Sequence, residues 1–395
     1  MRRRGAILLL AWSSAFAWLG CNALLGIESA VFEPDGGASA LDTGRPNDED
    51  GASGDASDAS SSDASDAADV IVHPCTNTFI DTFNCGACGH DCLGGVCSAG
   101  RCEPVVIANE PGEPKAIAVD GTHVYWTNAK TGDVRRAPIA GGATQTLFDG
   151  PTGTDLGIGL VRSGPDVYFT IGDADGGVFR CPATGCGAGG PLPVVAPLDS
   201  PQFVGLADGG VLLFSEGAFD GRVGRCTLPC TSGPDFVAGP ESFPKYVGSA
   251  SGAVYWSTLI PAQGNLRAVL DGASPATTLV SGPSVQQIET RDDEVIFAAR
   301  GSGMKALPRD GGTVRRLYEQ QTQTDRFAID GTVVYFSDTV SVGRMLSCDV
   351  AGCGDAGTTI ASTQSRPYAV VVDKTSIYWT NLGDGNAGSI VRLAK

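Results

Sequence analysis

Val124-Tyr125-Trp126-Thr127-Asn128 is a short apolar and aromatic run that follows the Asp120-Gly121 turn signal and leads into a polar loop. It returns six times. The pair at its centre recurs as Tyr168-Phe169, Leu213-Phe214, Tyr255-Trp256, Ile296-Phe297, Tyr335-Phe336 and Tyr378-Trp379. The second members are 43, 45, 42, 41, 39 and 43 residues apart. A period of roughly 40–45 residues with several short strands per unit is the signature of propeller blades. Such a unit cannot bury its own sheet face alone, so the units must stack radially. The count predicts an all-β, seven-bladed propeller over residues 103–395.

The first unit sets the strand plan. Residues 116–120 read as the inner strand, 124–127 as the aromatic strand, 134–138 as a third and 144–148 as a fourth. Asp120-Gly121 and Gly141-Gly142 between these runs are hairpin signals. The last unit supplies only three strands and ends with Ile390-Val391-Arg392-Leu393. Pro104-Val105-Val106-Ile107-Ala108 resembles the fourth strand of unit two, Pro193-Val194-Val195-Ala196. We therefore expect residues 104–108 to complete the last blade, which closes the ring and removes an exposed edge.

Thirteen cysteines constrain the rest. Cys75, Cys85, Cys88, Cys92, Cys97 and Cys102 form a small module at 75–102. It has almost no core, so three bridges must hold it. Fifteen pairings are open to six cysteines. Zinc is the competing reading, since Cys85 and Cys88 with His90 nearby have ligand-like spacing. Three close pairs, Cys181-Cys186, Cys226-Cys230 and Cys348-Cys353, fall at the turn between the third and fourth strands of units two, three and six. Loops this short gain little closure entropy, so each bridge is expected to staple its own hairpin. Cys21 is left alone.

The N-terminus reads as an export signal over residues 1–20. Arg2-Arg3-Arg4 is basic, and residues 6–18 are apolar but too few to span a bilayer. Trp18-Leu19-Gly20-Cys21 resembles a bacterial lipobox, with Trp18 where that motif has Leu. The resemblance implies lipidation of Cys21 and a mature chain starting there, residues 21–32 being its lipidated end. Ala15-Phe16-Ala17 is a rival A-x-A cleavage site, but it would leave Cys21 as a free thiol in an oxidising compartment. Asn22 in place of Asp points to the outer membrane under the enterobacterial sorting rule. Residues 33–74 read as a disordered tether. Between Glu33 and Asp69 lie eleven acidic residues and only Arg45, which leaves a charge of −10. The whole chain carries −17, which disfavours nucleic acid as a partner and confines membrane contact to the lipid anchor.

Tyr125-Trp126-Thr127-Asn128 and Tyr378-Trp379-Thr380-Asn381 resemble the YWTD repeat and its relatives among NHL-like and TolB-like propellers. Together with the Cys-rich module and the Cys181–Cys186 type of hairpin, they resemble surface lipoproteins of the myxobacterial type. The resemblance covers nearly the whole chain and implies architecture, not activity. YWTD propellers commonly have six blades, and this chain departs from them with seven.

Catalytic residues are sparse. The three histidines are His73, His90 and His123, and only His123 falls in the propeller, at a turn. No Ser-His-Asp set can be assembled around it; a carboxylate pair for acid–base work stays open. Asp173, Asp175 and Asp384 lie in equivalent oxygen-rich loops and are weak calcium candidates without EF-hand spacing. Asp and Gly in such loops usually just form turns. No cofactor is implied. In propellers of the resembled families, ligands meet the face built by the loops from strand two to three and from strand four to the next strand one. The expected function is therefore binding of a protein or glycan at the envelope. A hydrolase or lyase acting on a polysaccharide or small ester is the alternative.

Overall fold

The computed structural model describes residues 73–395 apart from 152, 173–175, 261–262, 272–274, 283, 292, 320–322, 340–341 and 385–386. The proposed signal, Cys21, and the acidic segment up to residue 72 lie outside the described residues. Seven four-stranded antiparallel sheets form a propeller. Blade 1 comprises Pro114–Val119, His123–Asn128, Asp133–Pro138 and Gln145–Asp149. Blade 7 takes Pro367–Val372, Ser376–Asn381 and Gly388–Ala394 from the C-terminus. Its outer strand is Val105–Glu110, paired antiparallel through Val106 and Val391. The strand starts after Pro104, which has no N–H for a ladder. The inner strand of blade 1 begins two residues before its expected start, because Pro114 already pairs with Asn128.

The repeated aromatic pair explains the radial stacking. Neighbouring residues of a strand point to opposite faces of the sheet. The first member of each pair therefore packs forward and the second packs backward. Tyr378 of blade 7 meets Trp126 of blade 1, and Tyr125 of blade 1 meets Phe169 of blade 2. Tyr168 meets Phe214, and Leu213 meets Trp256. Tyr255 meets Phe297, Ile296 meets Phe336, and Tyr335 lies against Trp379. Seven apolar clusters thus coincide with seven blade interfaces.

The residue after the tryptophan has its own task. A bulge in the inner strand frees one amide from the ladder, and the following hydroxyl accepts it. Ala116 N donates to Thr127 Oγ1, Tyr246 N to Ser257 Oγ and Ala369 N to Thr380 Oγ1, each at 3.1 Å. All three hydroxyl residues are buried, and a buried amide without an acceptor is costly.

Polar ties cross the interfaces as well. Glu110 on the outer strand of blade 7 accepts from Asn128 Nδ2 of blade 1 at 2.9 Å and pairs with Arg135 at 3.2 Å. Gln364 of blade 6 accepts from Trp379 Nε1 and Asn381 Nδ2 of blade 7, both at 3.0 Å. The hairpin turns of blades 1 and 7 share a further motif. Asp120 accepts from the backbone amides of Thr122 and His123, and Tyr125 Oη donates to it at 2.6 Å. Asp373 does the same with Thr375, Ser376 and Tyr378. Burial alone would raise both carboxyls, but these donors together hold them below the usual carboxylate range.

The cysteines pair as Cys75–Cys88, Cys85–Cys97, Cys92–Cys102, Cys181–Cys186, Cys226–Cys230 and Cys348–Cys353. The Sγ atoms of Cys85, Cys92 and Cys102 lie within 4.8 Å of one another. All three sulfurs are held in bridges, so the thiolates that zinc requires are already used. Buried Cys85, Cys92, Cys97 and Cys102 join the core between blades 6 and 7. Arg392, itself buried, donates to Leu93 O of the module and, at 2.7 Å, to Ile139 O of blade 1. One guanidinium therefore links module, last blade and first blade.

Two outcomes follow. Thr380→Val keeps the shape but orphans the Ala369 amide. Chemical unfolding should show a loss of about 1–3 kcal/mol with an unchanged denaturant slope. The depressed carboxyls of Asp120 and Asp373 contribute stability that is present above a pH of about 4 and is lost as pH falls toward their folded values. The double change to Asn should lower the thermal midpoint at pH 6 and flatten its further decline between pH 4.5 and 3.

Candidate functional site

Each blade runs inner strand, second, third and outer strand in antiparallel order. The starts of all inner strands therefore lie on one face of the ring, with the loops from strand two to three and from outer strand to next inner strand. A cavity of about 700 Å³ follows the inner strands along the axis, lined from Ala116, Tyr246 and Arg326 to Thr290, Gly331 and Val372. On the blade 2 side the wall is tight. A Cβ on Gly159 would lie 2.3 Å from Val204 O, so only glycine fits there.

Register shows what gathers at the mouth. Ile117, Val247, Phe327 and Val370 pair with the second aromatics Trp126, Trp256, Phe336 and Trp379 and are equivalent. Two residues earlier stand Lys115, Lys245, Asp325 and Tyr368. One residue earlier, Tyr246 and Arg326 occupy matching positions. The guanidinium of Arg326 lies 4.4 Å from the Tyr246 ring centroid and 5.1 Å from that of Tyr368. Its Nη2 donates to Tyr368 Oη at 3.4 Å. Arg326 is only 5% exposed, and its Nε is buried with no hydrogen-bond partner.

The local carboxylates are engaged elsewhere. Asp325 is held by Arg300 through contacts of 2.9–3.0 Å. Glu289 accepts from Gln287 Nε2 at 3.0 Å, and Gln287 also clasps the backbone of Phe327. Burial pushes Glu289 above the usual carboxylate range. Lys115, Lys245 and Arg326 form no ion pair among the described residues. Burial pushes Lys245 down, and the neighbouring cations Arg326, Lys115 and Arg300 add to this. Tyr246 is driven well up by burial. Burial would raise Tyr368 too, but Arg326 and Lys245 outweigh it and bring the phenol down.

The same face carries an exposed aromatic pair. Phe219, in the strand two-to-three loop of blade 3, meets Phe243 edge to face at 6.0 Å. They are 67% and 37% exposed. Phe243 precedes Pro244 and Lys245, so the aromatic rim runs directly into the cationic mouth.

Of the residues singled out in the sequence, few converge here. Asp173 and Asp175 lie outside the described residues, and Asp384 is exposed in its loop. His123 begins the second strand of blade 1 and bonds the Thr122 hydroxyl at 2.9 Å. Phe219 lies on the face built by the loops from strand two to three. Lys115, Lys245, Arg326 and Tyr368 escaped the sequence reading. A signal was available: polar residues at the start of otherwise apolar inner strands, visible once the blades are aligned on their aromatic pairs.

No protein-family model matches the chain, and no curated protein matches it in sequence. Solved structures match in fold. Virginiamycin B lyase from Staphylococcus aureus superposes with a TM-score of 0.57 at 16% identity, over 74% of this chain and 98% of its own. The WD40 β-propeller domain of Doa1 gives 0.55 at 12% identity, over 73% and 96%. A streptogramin B lyase gives 0.54 at 14% identity, over 74% and 97%. Identities this low show a shared propeller fold and nothing finer.

The mouth has a spectroscopic handle. In an alkaline titration followed at the phenolate absorbance, Tyr368 should ionise before the other tyrosines. Tyr368→Phe should remove that first step, and Arg326→Gln should move it to higher pH.

Proposed function

We propose that this chain is an exported, lipid-anchored propeller of the cell envelope, at the outer membrane or cell surface, that binds a protein or glycan on its loop face. The observation that carries the binding half is the exposed Phe219–Phe243 pair beside an open channel mouth on one face. Aromatic side chains left in water next to a concave site are spent on recognition more often than on folding. The rigid blades hold that rim while the loops between strands vary. The anchoring half rests on the lipobox-like Trp18–Cys21 and on the arithmetic that pairs every other cysteine.

A second reading, a lyase or hydrolase acting on a polysaccharide or small ester, draws on one observation. Tyr368 with a lowered phenol stands beside a burial-lowered Lys245, and such groups suit proton transfer. Two of the fold neighbours, the virginiamycin B lyase and the streptogramin B lyase, are lyases. Turnover on a panel of glycans and esters that disappears in Tyr368→Phe would establish it over binding alone.

Protease treatment of intact cells, with mass spectrometry of the released peptides, tests the main reading. Propeller peptides should be released from cells carrying the natural chain, and Cys21→Ala should shift the protein to the soluble fraction. The same soluble periplasmic protein in both strains would overturn the anchor.

A further inference from the structure

We propose that the channel mouth is a carboxylate site: Arg326, Lys245 and Lys115 receive the carboxylate of a small acid that enters from the loop face. This inference rests on the reading of that face as a binding surface and names what the surface recognises.

Three cations meet here and none forms an ion pair among the described residues; Asp325 and Glu289 act on Arg326 only at longer range. Crowding like charges at a half-buried site opposes folding, so their retention calls for a compensating anion. The two nearby carboxylates do not serve. Asp325 is claimed by Arg300 on its exposed side. Glu289 is tied to Gln287, and its burial favours the neutral acid. The chain as a whole is strongly acidic, so nothing but this local arrangement would draw an anion in.

The geometry also selects the kind of anion. Tyr246 and Tyr368 present their rings to the guanidinium, so recognition is left to its in-plane N–H groups. Nε is one of them, and it is buried without a partner. In-plane donors of a guanidinium match a planar two-oxygen acceptor. Lys245 and Lys115, on flexible stems, add charge without fixed direction. The cavity beyond, about 700 Å³, has room for the body of the acid.

The test is calorimetric titration of the full chain in detergent with D-galacturonate, D-galactose, succinate and sulfate. One site per chain should bind galacturonate or succinate, while galactose and sulfate bind far more weakly. Galacturonate alone identifies a sugar acid, and succinate alone a simple organic acid. Removing one charge-assisted contact, in Arg326→Gln or Lys245→Gln, should weaken binding by ~10-fold or more. Lys245→Arg should retain it. A second readout needs no substitution: a bound carboxylate screens Tyr368 from its cations, so ligand should raise the pH at which that phenol ionises, and galactose should not. The inference fails if both acids bind no better than galactose, if sulfate binds equally well, or if Arg326→Gln binds like the natural chain. Should it fail while a surface partner is still captured in a Phe219-dependent way, the binding reading stands without it. Loss of that capture as well would take both.

Discussion

Two adjacent side chains on a strand point to opposite faces of its sheet, and this chain places bulky ones at that spot in every blade. Each pair therefore serves two interfaces, one forward and one backward. The apolar residue before each pair, from Val124 to Ile377, is likewise buried in every blade, as is the third-strand residue from Val134 to Ile390. Where the second member is tryptophan, the blade has added polar precision. The hydroxyl that follows settles the freed inner-strand amide, as at Thr127, Ser257 and Thr380. In blade 7 the indole N–H also finds an acceptor on the previous blade, Gln364.

Closure of the ring is the point at which such a fold is weakest, since the final blade is completed by a strand from the far end of the chain. Here the seam is tied several times over. Glu110 reaches from the closing strand into blade 1 to meet Asn128 and Arg135. Arg392 joins blade 7 to Ile139 and to the disulfide module that directly precedes the closing strand. The module lies at the ends of the third strands, opposite the face that bears the channel mouth. The disulfide module and the channel mouth thus lie on opposite faces.

How much of this the sequence revealed differs by feature. The blade count and the origin of the closing strand were legible because packing imposes a period on Tyr125-Trp126 and its relatives. The close cysteine pairs were legible because a staple across a short turn leaves both residues near in sequence. The pairing within residues 75–102 was not, since six closely spaced cysteines admit every connectivity. The mouth was hidden for a geometric reason. Lys115, Lys245 and Tyr368 share one register position, while Arg326 and Tyr246 hold the next one along, and they come from four blades far apart in the chain. No local pattern unites them. They become neighbours only when the inner strands converge on the axis.

The three bridges of the module overlap: Cys75 with Cys88, Cys85 with Cys97, Cys92 with Cys102. A tension applied at residue 73 passes through sulfur from Cys75 to Cys88, along the peptide to Cys92, and through sulfur again to Cys102. The slack between its first and last cysteines is reduced to that short middle stretch. The load then arrives at Val105, the first residue of the closing strand, where Arg392 has already fastened the module to two blades. Mechanically, the module is a short inextensible leader spliced to the ring at its joint. It gives no slack to a pull, so the joint itself is held by the Arg392 hydrogen bonds and by the module cysteines buried between blades 6 and 7.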